Sequence, residues 1–172
     1  MTTAISGDFV IELLSPQHNR EAFDCGVPAL NGYLQKQARQ DMKRGAAIPY
    51  VLVPPVDPAE IAGFYTLSST AVQLRDLPDA VAKKLPRYPT VPATLLGRLA
   101  VGQRYRGKRL GERLLVDALK RSLDTSRTVA SVAVIVDAKD NAGAEFYERY
   151  GFKRFAEAPL RLFIAMKTVA ML

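Results

Sequence analysis

The sequence has 172 residues, of which 24 are Lys or Arg and 17 are Asp or Glu, so the formal net charge is +7 and favours anionic partners. The hydrophobic fraction of 48% excludes a disordered chain and predicts a single globular domain over residues 1–172. The lone cysteine excludes an internal disulfide, and no apolar run reaches the ~20 residues of a membrane span. Because residues 1–9 also lack a secretion signal, we expect a cytoplasmic protein without a membrane anchor.

The predicted elements alternate between strands and helices. In chain order they are a strand at 9–14, a helix at 30–43, hairpin strands at 50–53 and 61–68, a short helix at 79–84 in a proline-rich irregular segment, a strand at 94–101, a helix at 107–124, a strand at 129–136, a helix at 141–150 and strands at 152–155 and 160–167. This order predicts an α/β (α+β) fold, a mixed sheet with helices on both faces.

The most informative segment is the strand, basic turn and helix start between residues 95 and 115. Gly107 lets the backbone approach a phosphate closely, and free N–H groups at a helix start form an anion site together with the positive end of the helix dipole. Five basic residues lie from Arg98 to Arg109, with no acid among them. The pattern predicts a pyrophosphate site, although a basic loop before a surface helix is the alternative. The candidate residues are Arg104, Tyr105, Arg106, Gly107, Lys108, Arg109, Leu110 and Gly111.

The apolar strand before this turn extends the predicted site. Its last three residues, Leu99, Ala100 and Val101, can offer backbone groups to an extended ligand such as a pantetheine arm, in the way that a peptide adds to a sheet edge.

Tyr147 is the candidate general acid. A thioester reaction needs a proton for the departing thiolate, and a tyrosine hydroxyl with a reference pKa near 10 holds that proton at neutral pH. Core packing is the alternative, because Phe146, Tyr147 and Tyr150 have near-helical spacing.

Other conspicuous residues favour ordinary roles. His18 is the only histidine and lies in a polar stretch, so we expect it to be solvated, and Cys25 is expected to be a small packed residue. Asp137, Asp140 and Glu145 are candidate bases, or equally solvated acids. No Cys, His, Asp and Glu cluster has metal-ligand spacing, so no metal is expected.

The motifs resemble those of GNAT N-acetyltransferases. Residues 104–109 occupy the family's R/Q-x-x-G-x-G/A signature, with Arg109 at the position of a small residue. Many members carry a pantetheine-contacting Asn seven residues before the Tyr, and here that place is Asp140. The blocks at residues 23–26, 63–68, 96–101, 136–140 and 146–152 are similar to one branch in particular, the GNAT toxins of bacterial type II toxin–antitoxin pairs.

This resemblance implies a splayed GNAT sheet that binds acetyl-CoA, with Tyr147 as general acid. It also implies acetylation of the amino acid's α-amino group on aminoacyl-tRNA, which blocks translation, and a ribbon-helix-helix antitoxin as partner. We also expect a homodimer. The alternatives are a GNAT enzyme acting on a small-molecule or protein amine, and a non-catalytic module that binds nucleic acid.

The pKa of the acceptor amine decides whether the enzyme needs a general base. A free α-amino group has a pKa of about 7.7–8.0, well below the ~10.4 of a lysine, so an α-amine acceptor needs no dedicated base at neutral pH.

Two basic clusters are candidates for tRNA contact, or alternatively are solvated faces. They are Lys36, Arg39, Lys43 and Arg44 on the first helix, and Lys83, Lys84 and Arg87 in the irregular segment.

Overall fold

A computed structural model of the protein describes residues 8–172, so most of the segment inspected for a secretion signal, residues 1–9, lies outside the described part. Seven strands are found in this range. They are β1 (Val10–Leu13), β2 (Ile48–Val53), β3 (Gly63–Gln73), β4 (Thr90–Val101), β5 (Ala133–Asp137), β6 (Lys153–Arg154) and β7 (Arg161–Ala165).

The helices differ widely in length. They are α1 (Pro28–Gly32), α2 (Ala38–Arg44), α3 (Asp79–Ala82), α4 (Leu110–Thr125), α5 (Asn141–Glu148) and α6 (Met166–Val169). A π-helical turn at Tyr33–Gln37 joins α1 to α2, and a 3-10 turn at Gln103–Tyr105 precedes α4. The sequence analysis predicted neither of these turns, nor α6.

The sheet is mixed, as predicted. Its strand order is β1-β2-β3-β4-β5-β7-β6. β1 and β3 both pair antiparallel with β2, which confirms the predicted hairpin, and β7 pairs antiparallel with β5 and β6. β4 and β5 are parallel, and their register runs from Thr94↔Val134 to Leu96↔Val136.

The chain divides into two compact units. One contains the chain as far as Leu67 together with Arg98–Ala118. The helix predicted at 30–43 carries apolar residues four positions apart, and these enter the core of this unit. Leu34 and Ala38 are fully buried, Leu30 packs against them, and Met42 is half-buried. The other core residues of this unit include Phe23, Cys25, Tyr33, Val51, Phe64 and Ala100.

The second unit contains Ser68–Gly97 and Leu119–Leu172. Its core joins side chains of β3, β4, β5 and β7 to the segment after β6. The buried residues are Val72, Leu77, Val91, Ala93, Ala133, Ile135, Phe155 and Phe163.

Several predicted boundaries were wrong. β3 continues to Gln73 rather than residue 68, and β4 begins at Thr90 rather than residue 94. α4 begins at Leu110 rather than near Gly107, because Gly107 and Arg109 have φ values of +84° and +57°, which a right-handed helix cannot contain. β5 begins at Ala133 rather than Val129, because the chain is still turning after α4. The N–H groups of Thr128 and Val129 both bond to the Thr125 carbonyl at 2.9 Å.

The expectation that His18 is solvated was also wrong, because its side chain is buried. Its Nδ1 accepts the Ser15 backbone N–H at 3.0 Å, so in the neutral ring Nε2 carries the hydrogen and donates to Glu12 Oε1 at 3.0 Å. With both nitrogens bonded, burial of the ring costs little. Although Ser15 Oγ lies 3.3 Å from Nδ1, that nitrogen is already occupied, so these residues do not form a nucleophile and base.

Within the described residues, no helix is both long and apolar enough to span a membrane.

Candidate functional site

The turn between β4 and α4 presents a row of unbonded backbone donors. Tyr105 and Arg106 use their N–H groups inside the 3-10 turn, where they bond to the carbonyls of Gly102 and Gln103 at 2.9 and 3.4 Å. From Gly107 to Gly111, no backbone N–H group has an acceptor among residues 8–172. Because α4 is 16 residues long, its positive dipole end reinforces these donors. Of the residues predicted for the anion site, 104–111, only residues 107–111 therefore have free backbone N–H groups.

The side chains of this turn divide into two groups. Arg104 forms an ion pair with Glu60 at 3.1 Å, and Arg106 donates to the Cys25 carbonyl at 2.5 Å, so both are engaged by the protein. Lys108 and Arg109 are exposed, and neither has a polar contact with the described residues. They are therefore the two cations of the turn that remain available to a phosphate.

Tyr105 stabilises the turn by packing its ring against a neighbouring aromatic residue. Its ring meets that of Phe9 edge-on, with centroids 5.8 Å apart. Burial and a hydrogen bond to Glu60 raise the pKa of Tyr105 to about 12, so its hydroxyl stays protonated. The ring thus contributes to holding the turn rather than to binding charge.

The end of β4 is held close to the start of β3. The Gly102 N–H donates to the Ala62 carbonyl at 2.7 Å. A Cβ at Gly63 would lie 2.8 Å from the Ala100 carbonyl oxygen, so only glycine fits there. Leu99, Ala100 and Val101 lie beyond the register that β4 shares with β5, which ends at Leu96. This placement is consistent with the predicted role of their backbone groups.

Tyr147 lies on α5 in the second unit. The residue is 7% exposed, and its ring meets those of Phe146 and Phe152 at centroid distances of 5.1 and 5.4 Å. Burial raises the pKa of Tyr147 well above its usual range, so the hydroxyl is a proton donor throughout the neutral range.

The hydroxyl oxygen of Tyr147 is not completely buried. It has no hydrogen-bond partner among the described residues, yet no fully buried side-chain oxygen there is left unbonded. The oxygen must therefore keep some accessible surface. A buried ring with an accessible hydroxyl is the arrangement that a general acid needs.

The acids around α5 have structural roles. Asp140 caps the helix, since its Oδ1 accepts the Gly143 N–H at 2.8 Å. The Asn141 amide donates to Glu145 at 3.0 Å, and Asp137 lies 3.8 Å from Arg161. These contacts favour the solvated-acid interpretation over that of a base. Cys25 is buried and donates weakly to the Val27 carbonyl, as expected of a packed residue.

A cluster that the sequence analysis did not identify surrounds Tyr33. The guanidinium of Arg98 lies over its ring, 3.6 Å from the centroid. The Tyr33 hydroxyl donates to Asp41 at 2.8 Å, and burial together with this bond raises the pKa of Tyr33 to about 12. Bonds from Gln37 and Tyr33 in turn lower the pKa of Asp41. Arg98 was counted only as one of five basic residues, because a charge run does not show which ring lies beneath it.

No group of three or more His, Cys, Asp and Glu side chains that could hold a metal ion is found among residues 8–172.

The comparisons with known proteins agree with this geometry. Residues 59–154, more than half of the chain, match the family model described as an acetyltransferase (GNAT) domain. The chain therefore belongs to the GNAT acetyltransferase family, and the predicted GNAT fold and acetyltransferase class are confirmed.

Individual relatives extend the similarity beyond this domain. A probable toxin TacT of Sinorhizobium fredii is 29% identical over 171 residues, which covers 95% of this chain and 94% of that protein. A tRNA-acetylating toxin of Mycobacterium tuberculosis is 31% identical over 163 residues, with 95% of each chain covered. A solved structure, AtaT complexed with acetyl-methionyl-tRNAfMet, has a TM-score of 0.88 at 27% identity, with 95% of this chain and 98% of that chain covered.

Proposed function

We propose that this protein transfers an acetyl group from acetyl-CoA to the α-amino group of aminoacyl-tRNA, and that this reaction blocks translation. The observation that carries the proposal is the 31% identity to a tRNA-acetylating toxin over 95% of the chain. The row of free N–H donors in the turn before α4 supports the same conclusion, because it provides a place for the coenzyme's pyrophosphate.

The coenzyme is assigned to one continuous segment. The N–H groups of residues 107–111 bind the pyrophosphate, and Lys108 and Arg109 add positive charge. Arg104, Tyr105 and Arg106 shape the turn through their contacts with Glu60, Phe9 and Cys25. The backbone of residues 99–101 pairs with the pantetheine arm, as a peptide pairs with a strand.

The chemistry follows from two protonation states. The neutral α-amine attacks the thioester carbonyl carbon, a C–N bond forms, the C–S bond breaks, and the amine loses a proton to water. Tyr147 donates its hydroxyl proton to the departing thiolate and then regains a proton from water. Since esterification lowers the already modest pKa of an α-amine, no protein base is needed, which agrees with the structural roles of Asp137, Asp140 and Glu145.

The proposed setting is a cytoplasmic toxin–antitoxin pair. The toxin names of the two curated relatives support an antitoxin partner, and the resemblance noted in the sequence implies a ribbon-helix-helix protein. We further propose that residues 1–172 act as one catalytic domain and that two copies form a homodimer.

The proposed function is tested by incubating the protein with acetyl-CoA and a panel of singly charged tRNAs. We expect N-acetylated aminoacyl-tRNA with at least one amino acid, and growth arrest on expression that Tyr147→Phe relieves. Acetylation of free amino acids or protein lysines, with no charged tRNA modified, would instead support the small-molecule or protein acetyltransferase. Arrest that persists in the Tyr147→Phe variant would favour the non-catalytic nucleic-acid module.

The two basic clusters are proposed to bind the tRNA backbone. All their members are exposed: Lys36, Arg39, Lys43 and Arg44 in one cluster, Lys83, Lys84 and Arg87 in the other. We expect that reversing the charges of either cluster raises KM for charged tRNA and reduces the salt dependence of KM by about 0.9 per lost phosphate contact on a duplex. The affinity for acetyl-CoA should not change.

The matched control reverses Lys120 and Arg127, two exposed cations outside both clusters. If both cluster variants acetylate tRNA like the parent at every salt concentration, the clusters are ordinary solvated faces.

A further inference from the structure

Arg98 is a half-buried arginine whose charge helps to lower the pKa of Asp41, but whose N–H groups bond to no acceptor among residues 8–172. It lies on β4, immediately before the residues assigned to the pantetheine arm, and its guanidinium carbon is 3.6 Å from the centroid of the Tyr33 ring. Among residues 8–172, none accepts a hydrogen bond from Arg98 or forms an ion pair with it. An arginine normally satisfies its five N–H donors with carboxylates, carbonyls or water when it is removed from bulk solvent.

Tyr33, whose ring lies beneath the guanidinium, is itself held firmly. Its ring stacks on that of Phe64, with centroids 6.3 Å apart and an interplanar angle of 15°. Its hydroxyl donates to one oxygen of Asp41 at 2.8 Å, while Gln37 donates to the other oxygen at 2.9 Å. The Asp41 carboxylate thus accepts its two hydrogen bonds from neutral donors. The charge of Arg98 attracts Asp41 without a direct ion pair, so the N–H donors of Arg98 remain available to an external anion.

The position of Arg98 distinguishes the two phosphate-bearing substrates. The coenzyme's pyrophosphate is assigned to residues 107–111, beyond the far end of β4. Residues 99–101 extend over roughly 10 Å at the usual rise of a strand, and they separate Arg98 from that turn. A pantetheine arm that runs along this stretch from the turn brings its thioester towards Arg98. An anion that binds Arg98, at the thioester end of the arm, is therefore part of the acetyl acceptor and not of the coenzyme.

We propose that Arg98, whose guanidinium lies over the Tyr33 ring, binds a backbone phosphate near the 3′ end of the charged tRNA. This inference rests on the proposed function, since the acceptor is taken to be a charged tRNA. The planar guanidinium presents two parallel N–H donors to two phosphate oxygens, which a lysine in the same place cannot do. The phosphate supplies the acceptor oxygens that no residue among 8–172 offers to the N–H groups of Arg98.

The test begins with binding rather than with turnover. The affinity of a fluorescent RNA hairpin with a single-stranded CCA end is measured by anisotropy over a range of salt concentrations. For Arg98→Gln we expect about tenfold weaker binding and a salt slope smaller by about 0.7, the value for one phosphate contact on a single strand. Arg127→Gln is the matched control, because Arg127 is an exposed arginine paired with Asp124 at 3.2 Å, and it should change neither quantity.

Kinetics on two acceptors then identify the group that is bound. With charged tRNA, Arg98→Gln should raise KM about tenfold, with kcat reduced less than threefold and KM for acetyl-CoA unchanged. With an aminoacyl-adenosine, which has no phosphate, KM should not change. Arg98→Lys should recover only part of the loss, and Tyr33→Leu should resemble Arg98→Gln. Tyr33→Phe keeps the ring face but frees one Asp41 oxygen, so its loss should be smaller than that of Tyr33→Leu.

Each contrary result would overturn the proposal and would assign a different role to Arg98. A higher KM for acetyl-CoA would assign Arg98 to the coenzyme, and an equal loss with aminoacyl-adenosine would assign it to the base or the amino acid. Unchanged hairpin binding in both Arg98→Gln and Arg98→Lys would leave Arg98 a structural residue. If the parent acetylates no charged tRNA, the proposed function fails, whereas the hairpin measurement still decides whether Arg98 binds an RNA phosphate.

Discussion

Replacement of Tyr147 by Phe is expected to lower kcat for acetylation by about 10²–10⁴-fold, the range that general acids contribute, while the Kd for acetyl-CoA stays within about twofold. The variant loses only the hydroxyl. The ring contacts with Phe146 and Phe152 remain, so the second unit should fold as before. Single-turnover kinetics and calorimetric titration with acetyl-CoA measure the two quantities separately.

Two controls separate the chemistry of Tyr147 from its packing. Tyr88→Phe removes a hydroxyl from a tyrosine that is 65% exposed and should leave kcat unchanged. Phe152→Leu alters the packing beside Tyr147 and should lower the free energy of unfolding by about 1 kcal/mol, with little effect on kcat. If Tyr147→Phe turns over like the parent while Phe152→Leu does not, Tyr147 is a core residue and the proton comes from elsewhere.

The pH dependence gives an independent check on the same role. Since burial raises the pKa of Tyr147, its hydroxyl keeps the proton from neutral to moderately alkaline pH. We expect kcat/KM to rise as the acceptor amine deprotonates and then to remain level up to about pH 9.5. A decline of kcat/KM between pH 7 and 9 would contradict a raised pKa at the general acid.

Gly107→Asp is expected to weaken acetyl-CoA binding by at least about 100-fold, which corresponds to about 2.7 kcal/mol. Gly107 has φ +84° and an ideal Cβ there meets no atom within 4 Å, so the side chain enters open space beside the free N–H donors. A carboxylate in that space repels the pyrophosphate and can itself accept the N–H groups. Calorimetry or coenzyme-dependent thermal stabilisation measures the loss.

Gly45→Asp is the matched control for backbone strain. Gly45 ends α2 with φ +74°, and a Cβ there also meets nothing within 4 Å. Both variants place an aspartate in the left-handed region at a cost of about 1 kcal/mol, but Gly45 is not part of the proposed coenzyme segment. Equal loss of acetyl-CoA binding in the two variants would show that strain, and not the place of Gly107, causes the effect.

Local sequence patterns were sufficient to predict most of the helices and strands and the segment of the chain that forms the coenzyme site. The four-residue spacing of Leu30, Leu34 and Ala38 predicted a helix whose stripe is buried, because periodicity reflects which face meets the core. The order of strands and helices predicted the mixed sheet. The basic glycine turn after an apolar strand predicted a helix start with free donors, since the first N–H groups of a helix have no partner within it.

Contacts between residues far apart in the chain required the tertiary structure. Arg98 lies 65 positions after Tyr33, and nothing in either segment shows that a guanidinium covers that ring. Likewise, Glu60 and Cys25 engage Arg104 and Arg106, which leaves Lys108 and Arg109 for an anion.

The sequence by itself thus determined most of the strands and longer helices, the fold class and the segment that carries the donors, but not the π-helical turn, the 3-10 turn or α6. The tertiary structure decided which charges are paired and which polar groups are buried, as it did for His18. The reason is physical, because a helix or strand depends on neighbours within a few residues. The state of a charge or a buried ring depends on whichever side chains the fold brings against it.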